Sequence, residues 1–290
     1  LCVPRQQLEG RNLDNLEPAE GEWFQDSGGF TELGKHGRWT VTPEAYAELT
    51  VELQSRIGHM DWAAPQDWMC EPVMIAKTGL SVREHQERTI ANGFRLRELA
   101  PDVPWRWVVQ GYTIDEYLEC LDLYRQAGVD LAAEELVGVG SVCRRQDTDE
   151  IRDVFRELHN AGLKMHGFGV KTKGFRKYAH YLESADSLAW SYRARRHGEP
   201  MPGCEGRGHI NCANCLRWAE TWYGRTTGEL AALLASPPPA RLDGQNPYSV
   251  PAWGQMQLPF EFVNGQSPTA WSSAADRAGH TLAAAGAVAS

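Results

Sequence analysis

The 290-residue chain has no run of eighteen apolar residues, so its sequence offers no membrane-spanning helix. Its start, Leu1 to Asn15, is polar and lacks the apolar centre of a signal peptide. There is no P-loop, and no Gly-x-Gly-x-x-Gly opens a helix behind a strand, so no nucleotide or redox cofactor is implied. Cysteine is sparse: seven residues, three of them crowded between 204 and 215. An odd, clustered set fits a reducing, cytoplasmic setting and a metal site better than a disulfide framework. Hydrophobic residues at 42% and charged residues at 23% exclude a disordered or fibrous chain.

Basic charge is also short, 29 Lys and Arg against 38 Asp and Glu, for a net −9. That sum argues against a nucleic-acid partner, but the distribution does not. Residues 1–60 carry ten acidic and five basic side chains. Residues 164–196 carry eight basic side chains against Glu183 and Asp186. Within that stripe Lys171, Lys173, Arg176, Lys177, Arg193, Arg195 and Arg196 are candidate phosphate contacts. A solvated basic face is the plainer reading.

Helix starts are marked by caps. Thr42-Pro43-Glu44 opens a helix running to Gly58, and Ser81-Val82-Arg83-Glu84 is a capping box for one ending near Ala100-Pro101. Thr113 to Glu116 is another box, with Ile114, Tyr117, Leu118, Leu121 and Tyr124 at helical spacing before Gly128. Asp147 to Glu150 opens a fourth, with Ile151, Val154, Phe155 and Leu158 on one face and Gly162 as the stop. Between them lie short strand-like runs: 23–25, 59–64, 105–110, 130–139, 163–168 and 184–190. Regular alternation of this kind reads as α/β with a parallel sheet, and six units in so short a span favour a (β/α) barrel over an open doubly wound sheet.

The pattern divides the chain into an N-terminal segment (1–22), a barrel (23–198), a zinc-binding insertion after the last strand (199–230) and a C-terminal tail (231–290). The tail, rich in Ser, Ala and Gly from Gly265 on and preceded by Pro237-Pro238-Pro239, is expected to be partly disordered. Cys212-x2-Cys215, with His209 three residues upstream and Cys204 nearby, is a four-ligand set for a structural Zn²⁺ with no open position. Cys2, Cys70, Cys120 and Cys143 read as buried or incidental thiols.

In a parallel barrel, chemistry sits at the carboxyl ends of the strands. Those ends carry Asp26-Ser27-Gly28-Gly29-Phe30, Asp61 to Asp67, Val109-Gln110-Gly111, Val137 to Ser141, His166 to Lys171, and Asp186. Paired aspartates in one pocket can divide the work of nucleophile and general acid/base. Each could equally cap a helix.

This ordered set resembles the tRNA-guanine transglycosylase superfamily over residues 22–220. The resemblance is strongest to its queuine tRNA-ribosyltransferase-like branch, whose relatives insert 7-deazaguanine bases into DNA. The closer likeness runs through Asp61-Trp62-Ala63-Ala64-Pro65-Gln66-Asp67, Gly138-Val139-Gly140-Ser141, His166-Gly167-Phe168-Gly169 and Asn211-Cys212-Ala213-Asn214-Cys215. It implies a TIM-type (β/α)8 barrel. By the same likeness, Asp186 is the nucleophile in a covalent glycosyl intermediate, and Asp26 handles the protons. Ser27, Gly28, Asp67, Gln110, Gly138, Gly140, His166 and Gly167 then line the base site. The expected partners are DNA, or alternatively tRNA, and a free 7-deazaguanine base. A homodimer or a partner protein stays open.

There are departures. Asp186-Ser187 aligns with the superfamily's Phe-Asp-Cys or Phe-Asp-Ser setting, but another register would put Ala189 there and leave no nucleophile, giving a silent zinc-bearing binding protein. A hydrolase acting on small nucleosides is the third reading. Ile210 replaces a cysteine of the usual zinc set, and Glu135 to Gly140 replaces a Gly-Gly-Leu-Ala-Val-Gly turn. Residues 1–22 are too few for the superfamily's N-terminal structure. The barrel is therefore short of its first strands, rebuilt by the C-terminal segment, or incomplete.

Overall fold

A computed structural model describes residues 1–236 except Arg144, Gln146, Lys171 and Arg207. Most of the C-terminal tail therefore lies outside the described residues, as does the candidate phosphate ligand Lys171. Strands are β1 (Cys2–Pro4), β2 (Trp23–Asp26), β3 (Met60–Ala63), β4 (Trp107–Val109), β5 (Val137–Val139), β6 (Met165–Gly167) and β7 (Ser184–Ala185). Helices are α1 (Gly29–His36), α2 (Pro43–Ile57), α3 (Pro72–Thr78), α4 (Val82–Leu99), α5 (Ile114–Gln126), α6 (Asp149–Asn160), α7 (Phe175–Tyr178), α8 (Ala189–His197) and α9 (Leu216–Leu234). Among the described residues no helix is long and apolar enough to cross a membrane.

All strand pairs are parallel, in the orders β1-β2-β3 and β4-β5-β6-β7. A parallel bridge between Ala63 and Trp105 joins the two ladders. Spatial order thus follows chain order, with no reversal of the kind that creates a switch point in doubly wound sheets. The wall is curled. Phe24 on β2 and His166 on β6 stand four strand spacings apart, about 19 Å in a flat sheet. Their ring centroids are 4.7 Å apart.

The wall's two faces follow the period of two. Outward residues Trp107, Val109, Val137, Val139 and Met165 pack with Tyr117, Leu121, Tyr124, Ile151, Val154, Phe155 and Leu158 of α5 and α6. Burying each such side chain contributes roughly 1.5–3 kcal/mol. Inward, Phe24 stacks on Trp62 at 4.0 Å, and His166 and Phe168 meet them edge-on. This aromatic plug fills the interior below the strand ends.

Several local expectations change. Cys2–Pro4, in the segment set apart by the sequence, is a strand paired with β2. The run 130–139 is mostly not strand, because Asp130 accepts from the Ala132 N–H and caps a 3₁₀ turn at Leu131–Ala133. The run 184–190 yields only two strand residues before α8. The α6 cap is Thr148, which accepts from the Ile151 N–H, rather than a box at Asp147. Finally, α9 continues through Ala231 to Leu234, the first residues of the stretch that the sequence assigns to the C-terminal tail.

Candidate active site

Moving two residues along each strand from the aromatic layer keeps a side chain on the inner face. From Phe24 this step reaches Asp26; from Val108, Gln110; from Gly138, Gly140; from His166, Phe168; from Ser184, Asp186. The ladder register aligns these starting positions, pairing Val108 with Gly138, Gly138 with His166, and His166 with Ser184. One layer of inward positions at the carboxyl ends therefore holds Asp26, Gln110, Gly140 and Asp186.

Asp26 is the electrostatic centre. Burial pushes its carboxyl up from the ordinary 3.8 to about 7, and the charges of Asp67 and Asp186 push the same way. The Gly28 and Ser27 N–H groups oppose the shift. A carboxyl near neutrality can both give and take a proton.

Asp67 arrives from the loop after β3 and is buried. Ser27 Oγ donates to its Oδ1 at 2.5 Å, and Gln110 Nε2 donates to its Oδ2 at 2.5 Å. Burial raises its pKa, while the Ser27 and Gln110 donors work against that rise. Gln110 is oriented in turn by Ser141, whose Oγ donates to Oε1 at 2.6 Å and accepts from the Cys70 N–H at 2.7 Å. A Cβ on Gly140 would lie 2.2 Å from Gln110 Nε2, so only glycine leaves this amide its place. The Ser27 turn is fixed by Gly28, at φ 76°, whose carbonyl accepts from Gln6 Nε2 at 2.8 Å.

Asp186 follows β7 with its side chain 16% exposed. The Gly169 N–H donates to Oδ1 at 2.8 Å. His166 lies 3.3 Å from the same oxygen through Nε2 and 2.8 Å from Ser184 Oγ through Nδ1. With a hydrogen on Nε2 the ring donates to Asp186, and Nδ1 is left to pair with the Ser184 hydroxyl. The Cys2 thiol adjoins this site: burial first, then the Asp186 and Asp26 charges, push it well above the usual thiol range. Ala189, the rival position, is the first residue of α8.

Asp26, Ser27, Gly28, Asp67, Gln110, Gly140, His166 and Asp186 thus come together. Gly138 lies one layer deeper, under Phe168, and Gly167 faces the helix layer, where a side chain would meet Val170 and Phe155. Sequence reasoning missed Cys2, Gln6 and Ser141. The first two sit in a strand and turn too short to show a pattern, and Ser141 was visible only as a neighbour of Gly140.

Among the phosphate candidates, Lys173, Arg176, Arg193, Arg195 and Arg196 are exposed. Lys177 Nζ is engaged by Asp149 at 3.0 Å and by Asp147 at 3.6 Å. The metal candidates converge: the sulfurs of Cys204, Cys212 and Cys215 lie within 4.8 Å of one another. Cys204 and Cys215 Sγ are 3.8 Å apart, and His209 Nε2 is 3.2 Å from Cys212 Sγ. Two thiolates on tetrahedral zinc, each bonded at 2.3 Å, stand about 3.8 Å apart, so the donor set fits that ion. The Met201 N–H donates to Cys212 Sγ at 3.1 Å, an outer-shell contact suited to a thiolate.

A parallel α/β wall gathering carboxylates and an amide at its carboxyl ends is consistent with the transglycosylase-like superfamily whose motifs it resembles. The chain belongs to the DpdA family, DeoxyPurine in DNA protein A, whose model matches residues 3–239. Membership supports guanine transglycosylation in DNA as the general function, with a nucleic acid as partner. No curated protein matches the chain.

Proposed function

We propose that the protein replaces guanine in DNA with a 7-deazaguanine by way of a covalent Asp186–glycosyl intermediate. An Asp186 oxygen attacks C1′ of the target nucleotide, and the C1′–N9 bond breaks with its electrons leaving on the base. Protonated Asp26 supplies the proton that the departing guanine takes. The incoming base then gives its N9 proton to Asp26 and attacks C1′, and Asp186 is released as a carboxylate. Asp67 and Gln110 read the base edge. After accepting from Ser27 and Gln110, the Asp67 carboxylate keeps lone pairs for the N1–H and N2–H of guanine. The second Nε2 hydrogen of Gln110 suits O6. A purine and its 7-deaza analogue share those three groups, so one pocket serves both.

The observation that supports this reading most is geometric: Ser27, next to Asp26 in the chain, and Gln110 both donate to Asp67, so three strand ends meet beside Asp26, whose raised carboxyl feels Asp67 and Asp186 as well. In this reading the three acids, distant in the chain, serve one base. The wall closes into a barrel in this reading. The Cys2 thiol, on one edge strand, feels Asp186, just past the other, although six spacings, about 29 Å, would separate those strands in a flat sheet. Zn²⁺ on Cys204, His209, Cys212 and Cys215 is structural, and when bound it supplies a cross-link.

The test is incorporation of a labelled 7-deazaguanine into DNA and into tRNA, side by side. Label in DNA, lost in Asp186→Asn, supports the reading. Label in tRNA alone moves the substrate to RNA, and full activity in both Asp186→Asn and Asp26→Asn overturns the site.

A further inference from the structure

We propose that the outward ridge of α8, led by Leu188, enters duplex DNA beside the extruded target base while its arginines hold the flanking strand. This rests on the DNA base-exchange reading above.

An exposed leucine alone needs no explanation. Leu188, however, is 69% exposed and Tyr192, one turn later, is 55% exposed. At about 100° per residue, Leu188, Tyr192, Arg195 and Arg196 share one sector of about 100°. The Arg196 guanidinium lies 5.2 Å from the centroid of the Tyr192 ring. Between Ala189 and His197 there are three arginines and no acid. Such a ridge presents an apolar tip, an aromatic and fixed positive charge, which together match a stacked, phosphate-linked strand.

The ridge is held outward by its opposite face. Ala194 is buried with Met201, Cys204, Cys212 and Trp218, and Trp190 packs against that cluster. Trp218 Nε1 donates to the Trp190 carbonyl at 3.2 Å. The cysteine cluster thus backs α8 against α9. The ridge also starts at the reaction centre, because Leu188 follows Asp186 by two residues, a reach of at most about 7 Å. From there to Arg196 the helix spans about 12 Å, or three to four nucleotide steps of one strand.

A base inside a duplex is out of Asp186's reach, and its extrusion leaves a gap in the stack. Apolar wedges fill such gaps in DNA-bending proteins. Leu188 stands where that gap forms if the base enters the pocket.

The experiment compares kcat/KM for one target guanine presented in a duplex and in the same strand unpaired. It also follows 2-aminopurine fluorescence next to the target on binding alone. Leu188→Ala should lower the duplex-to-unpaired ratio by at least about tenfold, equivalent to about 1.4 kcal/mol of extrusion cost. It should also abolish the fluorescence rise, and Leu188→Met should restore both. An unchanged ratio and unchanged fluorescence in Leu188→Ala overturn the proposal. So does a wild-type dimer that Leu188→Ala or Tyr192→Ala converts to monomer without altering the ratio, since the ridge then serves a second copy of the chain. If wild type exchanges no base in any DNA, the base-exchange reading fails, and the fluorescence arm still decides the ridge.

Discussion

Replacing Asp26 with asparagine should stabilise the protein, increasingly so as pH rises. The carboxyl titrates near 7 in the fold and near 3.8 when exposed, so the folded state binds the proton more tightly. Unfolding free energy of wild type must therefore fall as pH climbs between those values, by up to about 1.4 kcal/mol per pH unit. Above about pH 7 the penalty is complete, and below 3.8 it vanishes. Asparagine keeps the shape and cannot ionise. Between pH 4.5 and 8 the advantage of Asp26→Asn should grow by roughly 3 kcal/mol. Urea unfolding of both proteins at half-unit pH intervals, fitted for the midpoint and slope, reads this difference directly. Parallel stability profiles over that range would refute the claim that Asp26 is held protonated by burial and by its acidic neighbours.

Gly140→Ala places a methyl against Gln110 Nε2, so it should cost about 1–3 kcal/mol of stability and uncouple Gln110 from Asp67. A variant with wild-type thermal midpoint and wild-type kcat/KM contradicts the placement of that amide. Zinc analysis by mass spectrometry should find one ion per chain, lost in Cys212→Ser. Chelation should open 199–234 to protease while β2 to β6 stay protected, and a chain that holds no zinc contradicts the four-ligand set.

What the sequence made legible was the part written in local pattern. The caps at Thr42, Ser81 and Thr113 each accept from the backbone as expected. Gly58, Gly128 and Gly162 end their helices at positive φ. Strand ends could be located because apolar runs stop at polar or glycine-rich turns, which put Asp26 and Gln110 at strand ends; Asp186 lay inside the run 184–190 and drew attention through the family resemblance. Elements without local signals stayed hidden. Helix α1 has Gly28 at its N-cap and α9 has Cys215, neither making a side-chain cap. Strand β1 has three residues and is defined only by its partner β2. The Ser141–Gln110–Asp67–Ser27 chain joins four separate loops, and no spacing rule couples residues so far apart. The contact of Cys2 with Asp186 depends on the curl of the whole wall.

The central claim is that Asp186 carries the sugar. The most direct measurement is intact-protein mass spectrometry after denaturing quench of the protein with guanine-containing DNA, followed by peptide mapping. The account predicts a glycosyl adduct on Asp186 that is absent from Asp186→Asn and discharged by added 7-deazaguanine. An adduct on another residue, or one that survives in Asp186→Asn, would contradict it.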